Sequence, residues 1–251
     1  MLLMTDLGHD PDDAIALAYL IEHNKIPDAI VLSPGFPQQV QIARGILLEY
    51  NVTWPTVIVA QDKQLCGGYH PGKHQALMIT DGEADMSLTH EKFQYFQEQE
   101  ALIIGPAKNL GNKLRCQKMV FQGGYSPNSI CPLDKFEKRE AVQSFNPSGS
   151  KNNFNQLLES PDIKERFYVG KNVCHGFTKE QLQRQWEPAN DKMYQFWTRL
   201  KGTKAMHDVL AAQCFLDQEI GIWEQAKPKW IGNKMTTEST TDYTYSLIGI
   251  K

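Results

Sequence analysis

The sequence lacks two features, and each absence excludes a class of partner. It has no block of basic residues: 26 lysines and arginines stand against 29 aspartates and glutamates, and the formal net charge is −3. This balance argues against nucleic acid as a partner. No apolar run approaches the roughly 20 residues that a membrane-spanning helix needs, so we expect no membrane partner either.

The sequence is also poor in the signals of secreted proteins. Its five cysteines are odd in number and form no C-x-x-C pair, which favours reduced thiols in a cytoplasmic protein. The opening segment "MLLMTD" reaches a charged residue too early for the apolar part of a signal peptide. With 251 residues, 41% of them hydrophobic, and no convincing linker, the chain is predicted to form a single domain over residues 1–251.

Short apolar runs alternate with amphipathic stretches over the first two-thirds of the chain. This alternation predicts an α/β fold with an open, mainly parallel sheet flanked by helices, Rossmann-like in type. Residues 178–217 have helical patterns and residues 221–250 are rich in β-formers, which predicts a helical C-terminal part followed by a terminal β hairpin. The predicted strands are 2–5, 29–35, 56–61, 101–106 and 118–124, with helices at 14–23 and 38–50 and a Gly/His-rich loop at 66–74.

Four aspartates are crowded between the first predicted strand and the first predicted helix, in the segment "MTDLGHDPDDA". Open α/β sheets bind ligands at this edge of the sheet. One or two carboxylates there could cap the helix, whereas several converging carboxylates suit a hard cation such as Ca²⁺ or Mg²⁺. The segment has neither the glutamate of an EF-hand loop nor the lysine of a phosphate-binding loop. The spacing alone does not decide whether these aspartates cap the helix or bind a cation. The four residues are Asp6, Asp10, Asp12 and Asp13.

Later segments offer groups that could complete such a site. His207 and Asp208 open a predicted helix, where a helix cap is the ordinary alternative. Asn146 lies in a polar turn, where its carboxamide could stabilise the turn or hold a sugar hydroxyl. The strand predicted at 101–106 ends in a Gly-Pro turn whose backbone carbonyls are free to meet a ligand.

Taken in order, these segments resemble the nucleoside hydrolase family, the inosine-uridine-preferring N-ribohydrolases. That family opens with D-x-D-P-G-x-D-D-A after its first strand and has a late H-D-P-L-A helix start. Between them come a G-P-L-T-N turn, a glycine-bearing strand, an E-F-N segment and a V-T-H-like strand. Order and approximate spacing agree from residue 2 to about residue 217. The counterparts are "MTDLGHDPDDA", "GPAKN" (105–109), "VFQGG" (120–124), "SFN" (144–146), "VCHG" (173–176) and "HDVLA" (207–211).

The resemblance implies a Ca²⁺-dependent enzyme that cleaves the N-glycosidic bond of ribonucleosides in purine or pyrimidine salvage, by attack of water activated by the ion. It also implies a homodimer or homotetramer. Asp6 would be the base that takes the proton of the water, and His207 would face the departing base as a proton donor. The ribose hydroxyls would be bound by Asp12 and Asn146, and the Ca²⁺ by Asp6, Asp13, Asp208 and the backbone carbonyl of Lys108.

The chain departs from the family pattern at four places. Met4 stands where the family has its first aspartate, Ser144 replaces the glutamate of E-F-N, and Lys108 replaces a threonine. The aspartate loop is two residues longer. Two alternatives therefore remain beside a nucleoside hydrolase. One is a hydrolase of a related ribosyl compound, such as a nucleotide or a nicotinamide riboside; the other is a non-catalytic module of the same fold that binds Ca²⁺ and a sugar.

Overall fold

The computed structural model describes residues 1–8, 10–52, 57–60, 96–108, 110–129 and 139–251, with residues 57–60 and 96 described by their backbone. The Gly/His-rich loop at 66–74 and Asn109 of the "GPAKN" turn lie outside the described residues. Three cysteines are described, and all are buried and free, as expected for reduced thiols: Cys116, Cys174 and Cys214.

Strands and helices alternate as the sequence predicts. The strands are β1 (Leu2–Thr5), β2 (Ala29–Leu32), β3 (Val57–Ala60), β4 (Phe96–Gln97), β5 (Glu100–Ile103), β6 (Leu114–Gln122), β7 (Ile163–Val169), β8 (Gly221–Ile231), β9 (Lys234–Ser239) and β10 (Thr244–Ile250). The helices are α1 (Pro11–Glu22), α2 (Pro37–Glu49), α3 (Phe145–Ser148), α4 (Lys151–Glu159), α5 (Lys171–Gly176), α6 (Lys179–Gln183), α7 (Asp191–Thr198) and α8 (His207–Leu216).

The ten strands of the described residues form one sheet, in the order β3-β2-β1-β5-β6-β7-β10-β8-β9, with β4 paired to β6. Every pairing from β3 to β10 is parallel. The predicted open, mainly parallel sheet is therefore confirmed. The predicted terminal hairpin is formed by β8 and β9, which pair antiparallel. The last strand, β10, returns between β7 and β8 and runs parallel to β7.

The two faces of the sheet are covered by separate apolar clusters. Along β1, Leu3 belongs to the cluster that includes α1 and α8, whereas Leu2 and Met4 belong to the cluster on the other face. This alternation follows from the two-residue period of a strand. Met4, at the position that the resemblance matches to an aspartate, is fully buried in the same apolar cluster as Phe121, so it serves as a core residue.

One expected strand is wrong, and one strand was not expected. The segment "VCHG", matched to a family strand, lies in helix α5. The strand comes immediately before it, as β7. The reason is that "IKERFYV" has three polar residues near its start, which hide the short apolar run that marks a buried strand. The helical segment predicted over 178–217 is confirmed by α6, α7 and α8.

Candidate active site

A cavity of about 260 Å³ opens where several parallel strands end. Asp6 follows β1, Ile104 follows β5, and Gln122 is the last residue of β6. This is the edge at which open α/β sheets bind ligands. The cavity is lined by Asp6, Asp10, Asp12, Asp13, Ile104, Gln122, Ser144, Phe145, Asn146, Lys171, His207 and Asp208.

The aspartates beside α1 do not serve mainly as helix caps. Asp10 occupies the N-cap position, yet its side chain makes no capping hydrogen bond. It pairs instead with the ammonium group of Lys204. Pro11 opens the helix, where its missing N–H removes no hydrogen bond. Asp12 and Asp13 follow in the first turn, and both are almost completely buried. Burial of two adjacent carboxylates needs compensating partners. Asp13 accepts from the Thr5 hydroxyl, and Asp12 accepts from Lys204 and from the Asp208 N–H.

Hydrogen bonds hold the aspartate loop in one conformation. The Thr5 hydroxyl donates to the Asp13 carboxylate and accepts the N–H of Leu7. Gly8 has a φ of 101°, a left-handed value that favours glycine. The buried Gln39 on α2 donates from Nε2 to the Leu7 carbonyl at 3.0 Å. The loop is therefore attached to both β1 and α2.

Asp208 is brought to the aspartate loop from the far end of the chain. It lies in the first turn of α8, and α8 packs against α1. Its backbone N–H donates to Oδ2 of Asp12 at 3.3 Å. One ligand atom each from Asp12, Asp13 and Asp208 lies within 4.8 Å of the others. Three buried carboxylates in this arrangement could hold a metal ion.

Asp6 faces the same cavity from the end of β1. Gly105 lies so close that an added Cβ would stand 2.6 Å from the Asp6 backbone nitrogen and 3.0 Å from its Oδ1. Only glycine allows the two strand ends to approach this closely.

The buried carboxylates hold protons more tightly than ordinary aspartates. Burial, reinforced by the negative charge of Asp12, raises the pKa of Asp6 to about 8. Burial, together with the neighbouring aspartates, also raises the pKa of Asp13 and the pKa of Asp208 well above the ordinary value. Both causes disfavour the charged form. A cation placed among these groups would reverse this effect and displace the protons.

Asn146 lies on α3 and is fixed by the strands that it faces. Its Nδ2 donates to the Ile104 carbonyl at 2.8 Å, and to the Oε1 and the backbone carbonyl of Gln122 at 2.8 and 3.2 Å. With its N–H groups bound to the protein, the carboxamide offers its oxygen as an acceptor for a ligand hydroxyl.

The structure brings six of the seven predicted site residues to the cavity. The seventh, Lys108, is not among the lining residues; it lies two residues after Pro106, to whose carbonyl its N–H donates at 2.7 Å. Its role as a carbonyl ligand stays a prediction. The six residues that line the cavity are Asp6, Asp12, Asp13, Asn146, His207 and Asp208.

Sequence reasoning missed two basic groups at this site. Lys204 forms ion pairs with Asp10 at 2.8 Å and with Asp12 at 3.2 Å. Lys171 lines the cavity and donates from Nζ to the Gln143 carbonyl at 3.0 Å. His175, on α5, also makes an edge-on contact with His207, with the ring centres 4.5 Å apart. Lys204 stands three residues before His207, and this spacing is the only local signal that could have drawn attention to it.

No protein-family model matches the chain, and no curated protein matches its sequence. Among the described residues, no helix is long and apolar enough to cross a membrane.

Solved structures, in contrast, match along the whole chain. An inosine-uridine-preferring nucleoside hydrolase from Bacillus anthracis matches with a TM-score of 0.66 and 12% identity, covering 100% of this chain and 94% of its own. A purine-preferring ribonucleoside hydrolase from Gardnerella vaginalis matches with a TM-score of 0.65 and 13% identity, with the same coverage. A plant nucleoside hydrolase gives a TM-score of 0.64 and 13% identity, also over 100% and 94% of the two chains. This chain therefore has the fold seen in nucleoside hydrolase structures.

Proposed function

We propose that the protein is a nucleoside N-ribohydrolase that binds Ca²⁺ and releases the free base and ribose from ribonucleosides. One observation carries the proposal: Asp208 meets Asp12 and Asp13 in a cavity that Asp6 and Asn146 also line. These residues come from distant segments and match the family motifs in order. The likeness of the fold to nucleoside hydrolase structures supports the same activity.

The residues present fit a hard divalent cation. The available donors are carboxylate oxygens, the ligand type that Ca²⁺ prefers. Their burial and mutual repulsion raise the pKa of Asp13 and the pKa of Asp208, so the site would gain from a compensating charge. Asp6, Asp13, Asp208 and the Lys108 carbonyl would hold the ion. When bound, such an ion lowers the pKa of a coordinated water molecule and orients it.

The protein's own groups supply the remaining chemistry. Cleavage of an N-glycosidic bond develops positive charge on the ribose ring, and the buried carboxylates stabilise that charge because they are fixed where it forms. Asp12 and Asn146 would hold ribose hydroxyls. Asp6 would accept the proton of the attacking water, and His207 would donate a proton to the departing base.

The first experiment combines metal analysis with a reducing-sugar assay on a panel of purine and pyrimidine nucleosides. We expect Asp13→Ala to lower kcat/KM by on the order of 10²-fold or more, because it removes a ligand of the ion that would activate the attacking water. Asp162→Ala is the matched control, since Asp162 is half-exposed and lies outside the cavity. Undiminished ribose release by Asp13→Ala, or by the enzyme stripped of metal, would refute the mechanism.

A second candidate keeps the reaction but changes the substrate to a ribosyl compound with a 5′-phosphate. Two observations favour it: Lys171 lines the cavity, and Ser144 lines it at the position where the family has a glutamate. A carboxylate would repel a phosphate, whereas a hydroxyl and a lysine ammonium group can donate hydrogen bonds to its oxygens. Assays on paired nucleosides and 5′-monophosphates separate the candidates. Binding of both without ribose release would instead indicate a non-catalytic sugar-binding module.

The resemblance also leads us to propose a homodimer or homotetramer in the cytoplasm. Sedimentation equilibrium tests the assembly, and a single species at the mass of one chain would contradict it.

A further inference from the structure

Lys204 reaches the aspartate loop from the segment between α7 and α8. That segment is held in place by its backbone, since the Lys204 carbonyl accepts the N–H of Lys179 at 2.8 Å. The ammonium group also donates to the Ala205 carbonyl at 2.9 Å. Its side chain is 22% exposed, so the charge is partly removed from water and its contacts are screened less than those of a surface lysine.

Lys204 and Asp208 each donate a hydrogen bond to one carboxylate oxygen of Asp12. Oδ1 accepts from the Lys204 ammonium at 3.2 Å, and Oδ2 accepts from the Asp208 N–H at 3.3 Å. Asp12 is 2% exposed, so its carboxylate is held by groups that lie 192 and 196 positions later in the chain.

The same lysine divides the carboxylates of the cavity into two groups. Asp10 and Asp12 have the ammonium partner. In the part of the chain that the structure describes, no lysine or arginine lies within 4 Å of the carboxylates of Asp6, Asp13 and Asp208. Their charge is the part that a bound cation would have to neutralise.

We infer that Lys204 is a positioning residue of this site: it orients Asp12 toward the ribose and confines the divalent cation to Asp6, Asp13 and Asp208. This inference rests on the proposed function. It assigns Asp12 to the substrate although its oxygens lie close enough to share the ion, and it explains how the loop tolerates the additional carboxylate of Asp10.

The inference is tested with Lys204→Met, which keeps most of the side-chain volume and removes the charge. Ca²⁺ affinity is measured by isothermal titration calorimetry, and KM and kcat are measured on the nucleoside that wild type cleaves best. Lys204→Arg retains a cation and tests rescue. Lys201→Met is the matched control, because Lys201 is exposed and belongs to the same turn.

We expect Lys204→Met to weaken the binding of the nucleoside and to strengthen the binding of Ca²⁺. KM rises about tenfold, with a smaller change in kcat, because Asp12 loses a charged hydrogen-bond partner. Ca²⁺ binds about fivefold more tightly, because a nearby positive charge is gone. Lys204→Arg stays close to wild type in both, and Lys201→Met changes neither.

Weaker Ca²⁺ binding in Lys204→Met, together with a higher KM, would overturn the inference, since a merely structural role has that effect. Unchanged values, or an absence of Ca²⁺ binding in both wild type and variant, would overturn it as well. If wild type binds Ca²⁺ but cleaves no nucleoside, the proposed function fails, while the change in Ca²⁺ affinity still decides the role of Lys204.

Discussion

At the scale of single residues, the distinguishing feature is a set of buried carboxylates that, among the described residues, have no ammonium group within 4 Å. Asp6, Asp13 and Asp208 are each less than 8% exposed. Burial and mutual repulsion shift their pKa values upward, which means that the folded chain binds protons that the unfolded chain releases. Their ionisation therefore opposes folding unless a cation is present.

We expect the free energy of unfolding of the metal-free protein to fall as the pH rises between about 4 and about 8. Over this interval the unfolded chain has ionised Asp6, whose ordinary pKa is 3.8, whereas the folded chain still holds the proton up to about 8. Each such group contributes a slope of up to about 1.4 kcal/mol per pH unit. The free energy of unfolding is measured by urea unfolding from pH 5 to pH 8.5, with and without Ca²⁺.

Two controls accompany that measurement. Asp6→Asn cannot ionise, so the fall with pH is shallower in this variant. Saturating Ca²⁺ favours the ionised carboxylates in the folded state and also flattens the dependence. A metal-free stability that stays level or rises over this interval would contradict the raised pKa values.

At the scale of secondary-structure elements, the site depends on how closely the ends of β1 and β5 approach. The two strands pair in parallel, and Gly105, just beyond β5, lies against the backbone of Thr5 and Asp6. Backbone atoms of adjacent strands cannot move apart without disturbing the pairing. The close approach therefore requires a residue without a Cβ at position 105.

We expect Gly105→Ala to lower the free energy of unfolding by about 1–3 kcal/mol and to weaken Ca²⁺ binding, because the new methyl group displaces Asp6. The matched control is Gly202→Ala, where an added Cβ would find its nearest neighbours at 3.8 Å. Urea unfolding and calorimetry of both variants provide the comparison. Equal stability and Ca²⁺ affinity in the two variants would show that the strand ends can separate.

At the scale of the whole molecule, the cavity is lined by residues from the start of the chain and by residues about 200 positions later. The aspartate loop opens α1, Asp208 opens α8, and the two helices pack against each other. A cation held by both segments would cross-link the native state and have no such site in the unfolded chain. Its binding energy then adds to the stability of the fold.

We expect Ca²⁺ at 100 times its dissociation constant to raise the free energy of unfolding by about 2.7 kcal/mol. Asp208→Asn should lose most of this gain while folding normally, since the amide retains the shape of the carboxylate. Urea unfolding with and without Ca²⁺ tests both statements. A full Ca²⁺ effect in Asp208→Asn would mean that the ion binds elsewhere.

Local pattern was sufficient to predict much of this molecule. The alternation of apolar runs and amphipathic stretches predicted the parallel sheet, and the position of the aspartates after β1 placed them at its carboxyl edge. The prediction of strands from local pattern failed at one place. The strand β7 begins with polar residues, and "VCHG" is too short to distinguish strand from helix. The pairing of Lys204 with the aspartate loop could not be predicted from its neighbours in the chain, because its partners lie more than 190 residues away.

The sequence by itself thus determined the α/β fold, the aspartate loop and the histidine–aspartate start of α8, because periodicity and short motifs are properties of neighbouring residues. Only the tertiary structure decided that Asp208 meets Asp12 and Asp13, that Asn146 is fixed between two strand ends, and that Lys204 pairs with Asp10 and Asp12. These contacts arise from the packing of α8 against α1 and from the register of the sheet, which depend on the whole chain at once.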